Sequence, residues 1–369
     1  MFTGVTALGV TNNFNYAPFK GCTNLKSVVL PANATKLYRS SFENSSLLDN
    51  FVADWSKISI IETDAFKNCT SLAIEDLSLP NLEKLGQNAF YGVRINKISN
   101  LGKITALPDA LSSIQNFGNK AILEEVNIPS TVTVLPRYSF YGYSSLKKIS
   151  SLENITSIGT SAFQGTIVEG DVVTPNLTEI WTRAFDGTKI SSFSAVILET
   201  IPSADGGRGV FQGNTNLTQI NLPSVTSIGS YAFKGCAISG ELTLQSVQTI
   251  NDSAFSNNNL EKLFLPNIVN LVGASNADGT FAKNIQLKHV DFGESIEGLR
   301  RDEFYGCTNL EIVICRATTP PAWNYGDPFR GSNSTFLIYV PDESVTAYKE
   351  ASGWSACADR ILPLSEYTE

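Results

Sequence analysis

Apolar residues return along this chain in one short phrase. The stretch N-L-T-Q-I-N-L-P-S-V-T-S-I-G-S-Y-A-F-K-G-C, from Asn216 to Cys236, writes it in full. An aliphatic residue is followed three positions on by a second and two further on by a third, often with proline after it, as in Leu30-Pro31, Ile128-Pro129, Leu222-Pro223 and Leu265-Pro266. A second apolar position then precedes glycine (Leu85-Gly86, Ile158-Gly159, Ile228-Gly229), and phenylalanine closes the unit. That phenylalanine recurs at Phe19, Phe42, Phe66, Phe90, Phe117, Phe140, Phe163, Phe185, Phe211, Phe233, Phe255, Phe281, Phe304 and Phe329, at spacings of 22 to 27 residues.

The I-x-L step alternates across a short strand, so its apolar pair points inward and the intervening positions face solvent. Proline removes an N–H and ends the strand. The glycine after the second apolar position is expected to supply a turn with φ > 0. Alanine before the marker (Ala65, Ala89, Ala162, Ala184, Ala232, Ala254) is small and lets each ring lie against the next, which predicts an aromatic spine. One unit cannot bury its apolar side alone. Stacking closes the core and lines the strands into a parallel ladder.

The period falls inside the leucine-rich-repeat range. The expected fold is therefore an α/β-type, strand-rich repeat solenoid: a right-handed leucine-rich-repeat solenoid with short parallel strands and a C-terminal cap. Residues 1–15 read as an N-terminal edge or cap, 16–329 as about fourteen coils, and 330–369 as a capping strand and helix. In that cap Asp342 suits a helix N-cap, Val345, Tyr348 and Ala351 share one helical face, and Gly353 can stop the helix.

The wording is narrower than the general repeat. C-T-N-L-K-S-V-V-L-P, I-G-S-Y-A-F-K-G-C and F-Y-G-C-T-N-L resemble the BspA-like leucine-rich-repeat family of surface proteins, over roughly Phe14 to Phe329. The resemblance implies a bacterial cell-surface or secreted location and adhesion to host proteins or to other cells.

Charge alters the picture by exclusion. The net charge is −8 and the pI about 4.9, with no dense Lys/Arg run, so a phosphate backbone or an anionic membrane is repelled. No stretch approaches the length of a transmembrane helix. The opening M-F-T-G-V-T-A-L-G-V lacks a signal peptide's basic and apolar regions, and the expectation is a segment whose leader has been removed.

Candidate chemistry is sparse. Cys22, Cys69, Cys236 and Cys307 share the slot three after a marker. At strand spacing the nearest of them lie about 10 Å apart, beyond disulfide reach, and read as small core hydrophobes. Cys315 and Cys357 could meet under the cap. His289, the only histidine, stands on a strand position without a nucleophile motif. The pairs Glu124-Glu125 and Asp302-Glu303 are consecutive and point to opposite faces. No catalytic residue, metal site or cofactor is expected.

Two features can carry recognition. The first is the outer strand face toward the C-terminal end: Lys262, Phe264, His289, Asp291, Ile312 and Ile314. This is either an exposed hot spot or a surface that the cap or a neighbouring loop covers. The second is a pair of insertions, Pro202–Gly209 and Gly273–Gly279, with Asp205, Arg208, Asn276 and Asp278 as candidate contacts. They are either binding loops or tolerated ones. The expected partners of a monomeric recognition protein are extracellular proteins, with glycans as the alternative; the row Tyr91, Tyr141, Tyr143 and Tyr305 would serve the latter.

Overall fold

The structure is a computed structural model that describes residues 17–108, 117–272 and 279–368. The expected N-terminal edge through residue 15, and Asn276 and Asp278, lie outside the described residues. The chain divides into two compact units, residues 1–170 and 171–369. Each is a β-solenoid whose described strand pairings are parallel.

In the first unit the longer strands Ala73–Ser78, Arg94–Asn100, Glu125–Asn127 and Lys148–Ser150 form one ladder. Ser27–Val29 pairs with Asn50–Val52. A second ladder of two-residue strands runs Lys36–Leu37, Ile60–Ile61, Lys84–Leu85. The second unit repeats the scheme. Ser239–Thr243, Asn259–Leu265, His289–Phe292, Ile312–Cys315, Leu337–Val340 and Ile361–Pro363 make six neighbouring strands. Thr200–Ile201, Ser227–Ile228, Thr249–Asn251, Asn270–Val272, Gly298–Arg300 and Ala322–Asn324 make the shorter ladder beside them.

The spine forms as expected. Rings of successive markers stack at 5.4 Å (Phe19–Phe42), 5.5 Å (Phe140–Phe163), 5.0 Å (Phe211–Phe233) and 5.4 Å (Phe304–Phe329), within 15° of parallel. The backbone beneath the rings is a third ladder. Marker N–H groups donate to the residue just before the next marker in many coils: Phe42 to Ala65 at 2.9 Å, Phe233 to Ala254 at 2.8 Å, Phe281 to Glu303 at 2.9 Å.

The expected α/β class gives way here. Among the described residues the only α-helix is Val345–Glu350. The return side of each coil is a turn, because positive φ recurs two residues before the marker (Ser40, Asp64, Ser161, Tyr231) and two after it (Asn44, Gly165, Gly235, Gly306). A helix cannot run through either position. The glycine after the second apolar residue proves to have another job. Gly86, Gly159 and Gly229 are not among the positive-φ residues. A Cβ on Gly229 would lie 2.1 Å from the Ser203 nitrogen, and one on Gly86 would lie 2.2 Å from that of Thr63. Glycine stands there so that one coil can touch the backbone of the coil before it.

At the C-terminal end Tyr348 is buried and donates its hydroxyl to the Ala317 carbonyl at 2.8 Å, and the Trp354 indole donates to the Pro321 carbonyl at 2.7 Å. Asp342 is not the helix N-cap. It heads a 3-10 turn, and its carboxylate accepts from the Ser365 N–H at 3.0 Å, while Ser344 occupies the cap position.

Candidate functional site

Register fixes the outer face of the second unit. Lys262, His289, Ile312 and Leu337 stand in one column. Thr243, Phe264, Asp291, Ile314, Tyr339 and Leu362 stand in the next. Three neighbouring strands thus bring the predicted strand-face residues together.

They are not equally open. Lys262 is exposed, and Phe264 and Ile312 are half-buried. His289, Asp291 and Ile314 are buried, at 8%, 9% and 1% exposure, so their expected outward position does not leave them in solvent. For His289 the reason is the C-terminal segment. The Tyr367 ring lies 6.0 Å from that of His289 and 5.1 Å from that of Tyr339. The residues after the last strand therefore cover this end of the face. Phe264 lies beside the covered part, its ring 5.4 Å from His289.

A groove of about 510 Å³ remains open where the cover stops. Phe264, Glu241, Gln245, Asp291, Glu294 and Arg316 line it. Arg316 grips Asp291 with both ends of its fork, Nε to Oδ1 at 2.9 Å and Nη2 to Oδ2 at 2.7 Å. Such a bidentate pair is held in one geometry. The carboxylate raises the Arg316 guanidinium above its ordinary value through that hydrogen bond. The groove thus offers an aromatic face, a fixed ion pair and two further carboxylates.

Arg316 escaped the sequence reading, although a signal was present. It lies one residue past Cys315, which is in register with Phe292 and so with Leu265. Earlier coils write Pro266 and Gly293 there, so a cation in that slot marks a departure from the repeat.

The described insertion is a structured one. Arg208 donates Nη1 to both carboxylate oxygens of Asp186 at 3.0 Å, and the Asp186 side chain is 1% exposed. Arg208 is thereby committed to covering a buried carboxylate. Asp205 is exposed, and its backbone carbonyl accepts from Arg183 Nη2 at 2.5 Å. Within the second unit this loop and the groove are built from different coils.

The cysteines are all free. Cys315 does not pair with Cys357: the Cys315 sulfur takes the Tyr348 hydroxyl at 3.2 Å, and the Cys357 sulfur takes Arg360 Nη2 at 2.8 Å. The shared cysteine slot is more than apolar filler. Cys69 donates to the Phe42 carbonyl at 3.0 Å and Cys236 to that of Phe211 at 3.1 Å, each one coil back. Asn214, Asn258 and Asn284 occupy the same slot and make the same bond more strongly.

Glu303 stands just before Phe304, in the slot that six other coils fill with alanine. It is 1% exposed and accepts the Thr280 N–H at 3.0 Å. Burial pushes its carboxyl up to about 7.

Among the described residues no helix is long and apolar enough to cross a membrane. The repeat, the spine and the donor slot agree with the comparison to known families. The chain matches the BspA type leucine rich repeat region over residues 10–111, 97–192 and 207–320. It belongs to that family. No curated protein matches it significantly. Among solved structures it is similar to a leucine-rich repeat protein from Bacteroides ovatus, at 16% identity and TM-score 0.44, covering 95% of this chain and 86% of that one. It is similar to the pneumococcal vaccine antigen PcpA at 14% identity and TM-score 0.42, covering 92% and 87%. A leucine rich cell surface protein from Faecalibacterium prausnitzii follows at 19% identity and TM-score 0.38, covering 82% and 87%.

Proposed function

We propose that this protein is a non-enzymatic recognition scaffold of a bacterial cell surface, displayed or secreted, that binds extracellular proteins and so mediates adhesion. Membership of the BspA type repeat family supports the class. The observation that carries the site is the groove beside Phe264, where a half-buried aromatic ring adjoins the locked Asp291–Arg316 pair. Aromatic and arginine groups set in a partly desolvated depression are the usual anchors of protein interfaces. Lys262 extends this surface along the strand face. Asp205 adds an exposed contact in the insertion.

In this reading residues 16–329 are the solenoid, and its crossovers take the right hand that parallel strands in one sheet favour. Residues 330–369 cap the last coil, with Tyr348 and Trp354 as plugs, and the capped chain acts as a monomer. The test is binding of the whole chain to immobilised extracellular matrix proteins, alongside Phe264→Ala and Lys262→Ala. Saturable binding weakened about tenfold or more by Phe264→Ala is expected, a loss near 1.4 kcal/mol. Binding untouched by either variant would take the site off this face.

A further inference from the structure

The first unit holds a cavity of about 540 Å³ whose lining contains Arg94 and Lys120 and no carboxylate. In a chain of net charge −8 that is a local inversion of sign. Several lysines elsewhere in the unit sit on carboxylates, among them Lys20 on Glu43 at 2.8 Å, Lys36 on Glu62 at 2.8 Å and Lys147 on Glu124 at 2.6 Å. Among the described residues neither Lys120 nor Arg94 has such a partner within 4.0 Å. Lys120 is half-buried nonetheless, and burial alone draws its ammonium below the ordinary lysine value.

The ammonium rests on aromatic rings, 5.4 Å from the Tyr141 centroid and 5.8 Å from that of Tyr143. Tyr143 is itself pinned, its hydroxyl accepting the Phe117 N–H at 3.1 Å. Lys120 is therefore held in place by a rigid floor. A cation partly stripped of water with no counter-ion is unfavourable, and an incoming anion relieves it. Uncharged groups complete the cavity. Asn119 spends its Oδ1 on the Ala121 N–H at 2.9 Å, which leaves its amide donor for a ligand. Asn68 donates to Asn44 at 2.8 Å, which leaves its carbonyl oxygen to accept. Tyr91 adds an aromatic ring to the lining.

We infer that this cavity binds an acidic saccharide, a hydroxyl-bearing ring that carries a carboxylate or sulfate. The oxyanion lies between Lys120 and Arg94, where charge-assisted hydrogen bonds are strongest. The ring hydroxyls meet Asn68 and Asn119, and the ring face meets Tyr91. The volume is that of a small-ligand site, and the mixture of amide and aromatic groups suits a sugar better than an acidic peptide, which needs only the cations. This site is independent of the groove beside Phe264.

The experiment is isothermal titration of the whole chain with four probes: a glucuronate-terminated oligosaccharide, a sulfated oligosaccharide, their neutral glucose counterpart and a polyglutamate peptide. Binding of one or both anionic sugars is expected, weaker for the neutral counterpart and the peptide by about tenfold or more, and falling with added salt. Which sugar binds better identifies the oxyanion. Lys120→Met, which keeps the apolar stem, and Arg94→Gln should each weaken that binding about tenfold without lowering the melting temperature. Silence toward both anionic sugars, equal binding of the neutral sugar or the peptide, or full affinity in both variants would overturn the inference.

Discussion

The side-chain amide of Asn214 donates to the carbonyl of Phe185, one coil earlier, at 2.6 Å, and to that of Phe211, three residues before it, at 2.8 Å. Its own oxygen accepts the Thr188 hydroxyl at 2.5 Å. Asn214 is fully buried, so no water can replace these bonds. Removing it deletes three buried hydrogen bonds, each contributing about 0.5–1.5 kcal/mol net, while the Phe185 carbonyl keeps the Thr188 hydroxyl and the Phe211 carbonyl keeps the Cys236 thiol. Asn214→Ala is expected to destabilise the second unit by about 2–4 kcal/mol. Asn214→Ser should recover part of that, because Ser45 in the same slot of the first unit reaches the Phe19 carbonyl at 2.7 Å. Urea unfolding followed by tryptophan fluorescence measures both. An Asn214→Ala midpoint equal to that of the parent would mean the donor slot contributes nothing.

The thiols of that slot are chemically quiet for the same reason that they are structural. Burial pushes Cys69, Cys236 and Cys307 up to about 12, so the reactive thiolate is scarce at neutral pH. Of the six cysteines only Cys22 is not buried. A thiol reagent at pH 8 should therefore label Cys22 rapidly and the other five only in denaturant. Rapid labelling of four or more in the native protein would contradict the packing around the markers.

The marker phenylalanines, the alanines before them and the strand columns were all legible in the sequence, because stacking forces every coil to write the same residue in the same place. Two kinds of information were not. The glycine after the second apolar residue is read equally well as a turn or as a close approach, and only the 2.1 Å separation between a Gly229 Cβ and the Ser203 nitrogen decides it. The cover over His289 depends on Tyr367, which lies outside the repeat and far away in sequence, so periodicity says nothing of it. The residues that break the pattern carry the chemistry. Arg316 replaces a proline, Glu303 replaces an alanine, and Lys120 stands three after Phe117, where other coils place an uncharged residue, most often Cys, Ser, Thr or Asn. Aligning the repeats against one another and looking for charges in otherwise uncharged slots would have found all three.

Glu303 gives that last point a measurable consequence. Its carboxyl is buried in an alanine slot and raised from 4.5 to about 7, chiefly by desolvation, with the Thr280 hydrogen bonds pulling the other way. The folded state therefore binds a proton that the unfolded chain has already released between these two values. Stability from this group is fully present below about pH 4.5 and is lost as pH rises through about 7. At 1.36 kcal/mol per pH unit the full effect is on the order of 3 kcal/mol. The parent should lose stability from pH 5 to pH 8 relative to Glu303→Gln, which keeps an acceptor for the Thr280 N–H but cannot ionise. The difference between their urea midpoints at each pH isolates this group from every other titration. A difference that stays constant from pH 5 to pH 8 would show that Glu303 is ionised, and therefore solvated, in the folded protein.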